Sequence, residues 1–295
     1  MSIEVQALTK QIGTQPVLEG ITFSWQLGEI VGLVGRNGVG KTTLMRTLID
    51  QYHPDGGRIE ISGADVAKVP TRRQDMFYLD TEALFFKRWR LPAIGATMAL
   101  AYPHFDQAQY LTLLAKHELS NQRYANLSKG YQALVRVALA IASQTPYILL
   151  DEPFDGLDVI IRKQIVALVI DTVASGKRSV MIASHALAEL DGLADRILML
   201  KDTRLIEDVT LEDLRQQAVK LQLVFSDKTL PAVIKTQGRI LSVQGRVVTV
   251  LFTNYTPTLQ QAIAQAHPVL NETLPVMLED LFVSELRKGG AHGTD

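Results

Sequence analysis

Cysteine is absent from these 295 residues. That excludes disulfides, thiolate metal sites and a cysteine nucleophile, and it is compatible with a cytosolic setting. Aromatic residues are sparse, at 6%. Neither sign of charge dominates: 30 Lys and Arg face 31 Asp and Glu, so no global field draws the chain to nucleic acid or an anionic membrane. The opening Met1-Ser2-Ile3-Glu4-Val5-Gln6 has no basic stretch leading into an apolar core, so no signal peptide is expected. Long apolar runs are missing too. Arg136 interrupts the best candidate, around Ala133–Ala142, well short of the roughly 18 residues a membrane span needs. A soluble chain is expected, with any membrane role coming through a partner. What is present is an apolar share of 47%, ample for a core. The length suits one large domain and a smaller one.

The most informative stretch is Gly35-Arg36-Asn37-Gly38-Val39-Gly40-Lys41-Thr42, followed by Thr43. It fits the phosphate-loop pattern G-x-x-x-x-G-K-[ST]. An apolar run, Ile30–Val34, precedes it as a buried strand would, and a helix-compatible segment, Thr43 to Asp50, follows. Glycines allow a tight turn in which successive N–H groups face phosphate oxygens, and the helix adds its positive end. Lys41 is expected to reach the β/γ-phosphates, and the Thr42 hydroxyl to ligate Mg²⁺. A glycine-rich turn by itself explains the glycines but not the Gly-Lys-Thr-Thr ending. A nucleoside triphosphate with Mg²⁺ is therefore the expected ligand.

Residues 1–62 alternate strand-like runs with turns, and 81–145 read as mainly helical. Strands and helices then alternate: Tyr147–Leu150, Ile160–Ala174, Ser179–Ala183, Leu187–Ala194 and Arg196–Leu200. That order predicts a parallel sheet with right-handed crossovers. After Leu214 the pattern changes, with strands at Leu221–Phe225, Ile240–Gln244 and Val247–Phe252 and helices at Pro231–Thr236 and Leu259–Ala266. A domain boundary is expected near residue 215, giving domains at 1–214 and 215–295.

Tyr147 to Glu152 has the form of a Walker B strand. Four apolar residues deliver Asp151 to a strand end, where it can hold Mg²⁺, and Glu152 is placed to orient or deprotonate an attacking water. Further upstream, Leu127-Ser128-Lys129-Gly130-Tyr131-Gln132 opens a helical run. Read alone, Ser128 is a helix cap.

With the phosphate loop and the Asp-Glu strand around it, that element resembles the signature of an ATP-binding cassette (ABC) transporter subunit. Phe154-Asp155-Gly156-Leu157-Asp158 is similar to that family's D-loop, and Ala183-Ser184-His185 to its switch histidine. The other histidines read as structural. The resemblance covers roughly residues 3–214. It implies an α/β phosphate-loop cassette with an antiparallel β subdomain and a helical subdomain at about 81–145. It also implies an ATPase in which Lys41, Glu152 and His185 are catalytic. Head-to-tail pairing of two subunits would bring Ser128, Gly130 and Asp158 to the partner's ATP. The implied partners are a membrane permease and a second copy or homologous subunit, with the chain in the cytoplasm on the inner face of the membrane. No nucleic acid is expected.

Three positions depart from the family. Ile12 stands where an aromatic usually stacks on adenine, which predicts relaxed base selectivity. Asp80 stands at the place of the Q-loop glutamine and is expected to keep a metal-side role. Lys129 and Tyr131 replace signature residues, while Ser128 and Gly130 survive. The cluster Phe86-Lys87-Arg88-Trp89-Arg90 is read as a solvated face or a partner contact rather than a nucleic-acid site. Residues 215–295 resemble a small α+β accessory domain of some drug- and peptide-exporter ATPases, with Leu278-Glu279-Asp280-Leu281-Phe282-Val283 similar to that group's closing element. An exporter-type subunit is therefore expected. The rival is a soluble cassette ATPase acting on ribosomes or DNA, disfavoured because this chain has one cassette and no long insert between Thr43 and Leu127.

Overall fold

A computed structural model describes residues 1–79, 84–226 and 230–287. Asp80, expected at the metal side, lies outside the described residues, as do His292 and the rest of the tail beyond 287. The chain divides into two compact units, Met1–Asp208 and Val209–Asp295.

In the first unit, β1 (Ser2–Ile12) and β2 (Gln15–Gln26) form a long antiparallel hairpin, with β4 (Gly56–Ile61) and β5 (Ala64–Asp65) beside β1 in the order β2-β1-β4-β5. Both hairpin strands run longer than the apolar alternation suggested. Ladder hydrogen bonds carry them through polar residues such as Lys10 and Gln11, paired with Leu18 and Pro16.

The second sheet is built on β3 (Ile30–Val34), β6 (Met76–Tyr78), β7 (Tyr147–Asp151), β8 (Ser179–Ser184), β9 (Arg196–Lys201) and β10 (Arg204–Thr210). Its order is β10-β9-β3-β8-β7-β6, and the pairs β9–β3, β3–β8, β8–β7 and β7–β6 are all parallel. Strands β3, β7 and β8 are buried along almost their whole length, which is why they read as continuous apolar runs. The two sheets share one core, in which Trp25 meets Tyr147 with ring centroids 4.8 Å apart.

The helices are α1 (Lys41–Leu48), α2 (Leu91–Ala101), α3 (Gln107–Lys116), α4 (Lys129–Ala142) and α5 (Val159–Val173). Asp106, Ser128 and Asp158 cap α3, α4 and α5 with their side chains. The helix expected at Leu187–Ala194 does not form. A single 3₁₀ turn, Leu187–Glu189, stands there, and Gly192 at φ 73° turns the chain out of helical geometry two residues before Ala194. The aromatic-basic cluster is also arranged differently from the expectation. Phe86 is fully buried, edge-on to Tyr124, and the exposed aromatics are Phe85 and Trp89, packed edge-on to each other.

The second unit contains α6 (Leu211–Gln217), β11 (Val219–Val224), α7 (Ala232–Gln237), β12 (Arg239–Gln244), β13 (Val247–Phe252), α8 (Pro257–Gln265), β14 (Leu270–Leu274) and α9 (Leu278–Arg287). Its sheet is antiparallel, in the order β12-β13-β11-β14. Leu221, Leu223, Val248, Val250 and Phe252 pack against Ile234, Leu259 and Ile263 from α7 and α8. Lys220 holds Asp280 of α9 at 2.8 Å. β14, sequence Leu-Asn-Glu-Thr-Leu, was not expected: it is an exposed edge strand with no apolar face to betray it.

Candidate active site

The phosphate loop forms where β3 passes into α1. At Gly35 an added Cβ would stand 2.7 Å from the Leu200 carbonyl oxygen, so the close approach to β9 requires glycine. Gly40 starts α1 at φ 113°, a left-handed conformation, and packs beside Val17 of β2. No side chain caps α1, so its first-turn N–H groups face outward for an anion. Gly35, Arg36, Asn37, Gly38, Val39, Gly40, Lys41, Thr42 and Thr43 thus form one continuous cradle.

Lys41 is 6% exposed and curls back over this cradle, donating to Gly35 O at 2.7 Å. Its ammonium also lies 3.3 Å from Glu152 Oε1. Next along, Thr42 Oγ1 donates to Asp151 Oδ2 at 2.7 Å. The other oxygen, Asp151 Oδ1, is buried without a hydrogen-bond partner. Burial pushes this carboxyl above its ordinary pKa, Glu152 pushes the same way, and the Thr42 hydrogen bond opposes both. A buried carboxylate oxygen with unspent lone pairs beside a hydroxyl is a hard oxygen donor set. It suits Mg²⁺, which takes one or two protein oxygens and completes its shell with phosphate and water.

Glu152 leaves β7 at φ 45°, a conformation rare for a non-glycine residue, fixed by its N–H donating to Ala183 O at 3.0 Å. That strained turn aims the carboxylate across the strand ends. Glu152 Oε2 meets His185 Nδ1 at 2.9 Å, immediately beyond the end of β8. The parallel register explains the meeting, since Asp151 pairs with Ala183 and so aligns the next residues of both strands. Lys41, Thr42, Asp151, Glu152 and His185 therefore form one cluster of contacts, assembled from three strand ends.

Ser128, Gly130 and Asp158 form a second group. Ser128 Oγ accepts from Tyr131 N at 3.4 Å as the cap of α4. Asp158 Oδ1 accepts from Ile160 N and Ile161 N at 2.9 and 3.0 Å as the cap of α5. Gly130 packs against Ile161, where an added Cβ would stand 3.4 Å away. Ile12 ends β1 and is 46% exposed, at the hairpin tip whose returning strand carries Val17 against the phosphate loop. Sequence reasoning missed Val17, whose only signal was an apolar residue in a strand. It also missed Arg162, which touches Phe154 and Ala188 in the turns after β7 and β8, and Glu189, which accepts from Ser184; neither carried a motif.

Among the described residues, no helix is long and apolar enough to cross a membrane. Residues 18–155 match the family model described as ABC transporter. The chain is 30% identical over 284 residues to the ABC transporter ATP-binding protein YtrB of Bacillus subtilis, covering 96% of this chain and 97% of that one. Relatives named for both directions of transport also match. The lipopolysaccharide export system ATP-binding protein LptB of Acidithiobacillus ferridurans is 29% identical (77% of this chain, 97% of that one). The thiamine import ATP-binding protein ThiQ of Jannaschia sp. is 31% identical (63% and 84%). A solved structure of an ATP-binding subunit of an ABC transporter superposes with a TM-score of 0.65 at 28% identity, covering 73% of this chain and 92% of that one. The cassette fold, the strand-end cluster and these matches agree. The chain belongs to the ATP-binding protein family of ABC transporters, whose ATPase activity is coupled to transport.

Proposed function

We propose that this chain hydrolyses ATP as one of a head-to-tail pair docked on a separate membrane permease, on the cytoplasmic face of the membrane. The observation that supports it best is the division of the candidate residues into two groups. Lys41, Thr42, Asp151, Glu152 and His185 gather at the strand ends, whereas Ser128 and Asp158 bond to their own helices. A second copy, related by two-fold symmetry, would bring each helix-start group to the other's phosphate.

In this reading the phosphate-loop N–H groups and Lys41 hold the β/γ-phosphates, and Glu152 orients the attacking water with His185 holding its carboxylate. Thr42 and Asp151 would hold Mg²⁺, which neutralises phosphate charge when bound. Ile12 and Val17 would cover the base. Residues 1–214 form the catalytic cassette and 215–295 an accessory domain.

We also assign the direction as export, supported by the closing element Leu278–Val283, whereas the relatives are named for both directions. Accumulation of the transported compound by inside-out vesicles carrying the complex checks the direction; accumulation only by right-side-out vesicles reverses it. The pairing itself is tested with Glu152→Gln at saturating Mg·ATP. Light scattering should report a dimer that dissolves when ATP is withdrawn. A monomer at every ATP concentration would sink the paired-site reading for two copies of this chain. Co-purification with an integral membrane protein tests the permease.

A further inference from the structure

Glu152 and His185 come from different strand ends, and one side chain on a third element touches both of the segments that carry them. Arg162, in the first turns of α5, donates from Nη2 to Ala188 O at 3.0 Å. Its guanidinium carbon also lies 5.6 Å from the centre of the Phe154 ring, within cation–π range. Phe154 is buried and follows Glu152 by two residues; Ala188 follows His185 by three. The arginine therefore spans the turn after β7 and the turn after β8.

The turn after β8 is locked internally, so a hold at Ala188 is transmitted to His185. Ser184 Oγ donates to Glu189 Oε2 at 2.6 Å and accepts from Ala186 N at 3.0 Å. Leu187 and Leu190 anchor the turn in the core, and Ala186 O accepts from Glu189 N at 3.1 Å. At the other end, α5 is itself fixed. Asp158 caps it, and Arg162 N closes the first helical turn onto Asp158 O at 3.1 Å. Arg162 is thus mounted on a rigid base, and its fork engages Ala188 and Phe154 rather than either reacting group.

We propose that Arg162 is a positioning residue that holds the His185 turn against the Glu152 turn and so maintains the imidazole–carboxylate contact. The proposal rests on reading Glu152 and His185 as the catalytic pair. Misplacing a catalytic group by about 1 Å can cost up to 10²-fold in rate, so loss of this brace should be read mainly in kcat.

The test compares Arg162→Ala, Arg162→Lys, His185→Ala and the double variant Arg162→Ala/His185→Ala in the full chain. Arg162→Ala should lower kcat by about 10-fold while ADP affinity stays within about 2-fold. Amide exchange over residues 184–191 should accelerate. Arg162→Lys, which reaches Ala188 O without a planar group to lie on Phe154, should recover part of the rate. The double variant should be no slower than His185→Ala alone, because a brace for an absent imidazole has nothing to hold. Wild-type kcat in Arg162→Ala, or an equal loss in the His185→Ala background, would overturn the proposal. Should His185→Ala fall below detection, unchanged exchange over 184–191 in Arg162→Ala overturns it alone. Retained turnover in both Glu152→Gln and His185→Ala would instead defeat the catalytic-pair reading, and the two failures are therefore distinct.

Discussion

Lys41 Nζ lies 3.3 Å from Glu152 Oε1, so the phosphate-loop cation is already engaged by the carboxylate proposed to handle the attacking water. A nucleotide phosphate must compete with that carboxylate for the lysine. Glu152→Gln removes the competing charge, and ADP, which lacks the γ-phosphate, serves as the probe. The variant should bind ADP about 3–10-fold tighter, as expected for a partly exposed pair worth roughly 1 kcal/mol. Calorimetric titration gives the answer, and unchanged affinity would mean that the pair does not oppose binding.

Asp151 carries a different tension. Burial raises its pKa, so the folded chain holds the proton more tightly than the unfolded chain does. Keeping it ionised therefore costs stability above the folded-state pKa, and the cost fades as pH falls from there to the ordinary carboxylate value, below which it is gone. Asp151→Asn should raise the melting temperature of nucleotide-free protein at pH 7, with the gain shrinking toward acid pH. The same variant should lose Mg²⁺-dependent turnover by about 100-fold or more. A lower melting temperature at neutral pH would contradict the electrostatic account.

Arg178 secures the helix that presents Ser128. Its guanidinium donates to the carbonyls of Thr145 (2.9 Å), Ile141 (2.9 Å) and Ala140 (3.0 Å), satisfying the last turn of α4. Burial pushes its pKa down to about 10, so it stays charged at neutral pH. Arg178→Ala should cost about 1–3 kcal/mol of stability through the lost charge-assisted bonds, although Ala140 O keeps Ser143 Oγ and Ile141 O keeps Gln144 N as donors. Urea denaturation measures it; a shift below about 0.5 kcal/mol would show that water replaces the donors.

At the hairpin tip, Ile12 is the side chain proposed to cover a base, aliphatic instead of a ring. Ile12→Tyr should raise the preference for ATP over GTP in kcat/KM by about 3–10-fold, the range of an added aromatic contact of roughly 0.5–1.5 kcal/mol. Equal preference in the two proteins would separate Ile12 from base recognition.

The sequence by itself determined the phosphate cradle. Gly35, Gly38 and Gly40 set its backbone, and a lysine and a threonine follow at fixed covalent spacing. The continuous apolar runs at Ile30–Val34 and Tyr147–Leu150 likewise announced buried parallel strands, because a strand covered on both faces has no polar side to alternate with. Local signals failed where the deciding force was elsewhere. Leu187–Ala194 carries helical spacing, yet the Ser184–Glu189 bond and Gly192 turn it away. β14 has no pattern of its own and exists through its pairing with β11. Phe86 and Phe85 are neighbours in sequence, and only packing against Tyr124 decided which of them is buried.

Only the tertiary structure joined the site. Glu152 and His185 are 33 residues apart in the chain and meet at 2.9 Å because the β7–β8 register aligns the two strand ends. The brace of Arg162 across both turns has no motif, since it depends on where α5 lies against them. Covalent spacing fixes a loop's chemistry from the sequence alone, whereas contacts between strand ends are fixed by register and packing, which single residues do not encode.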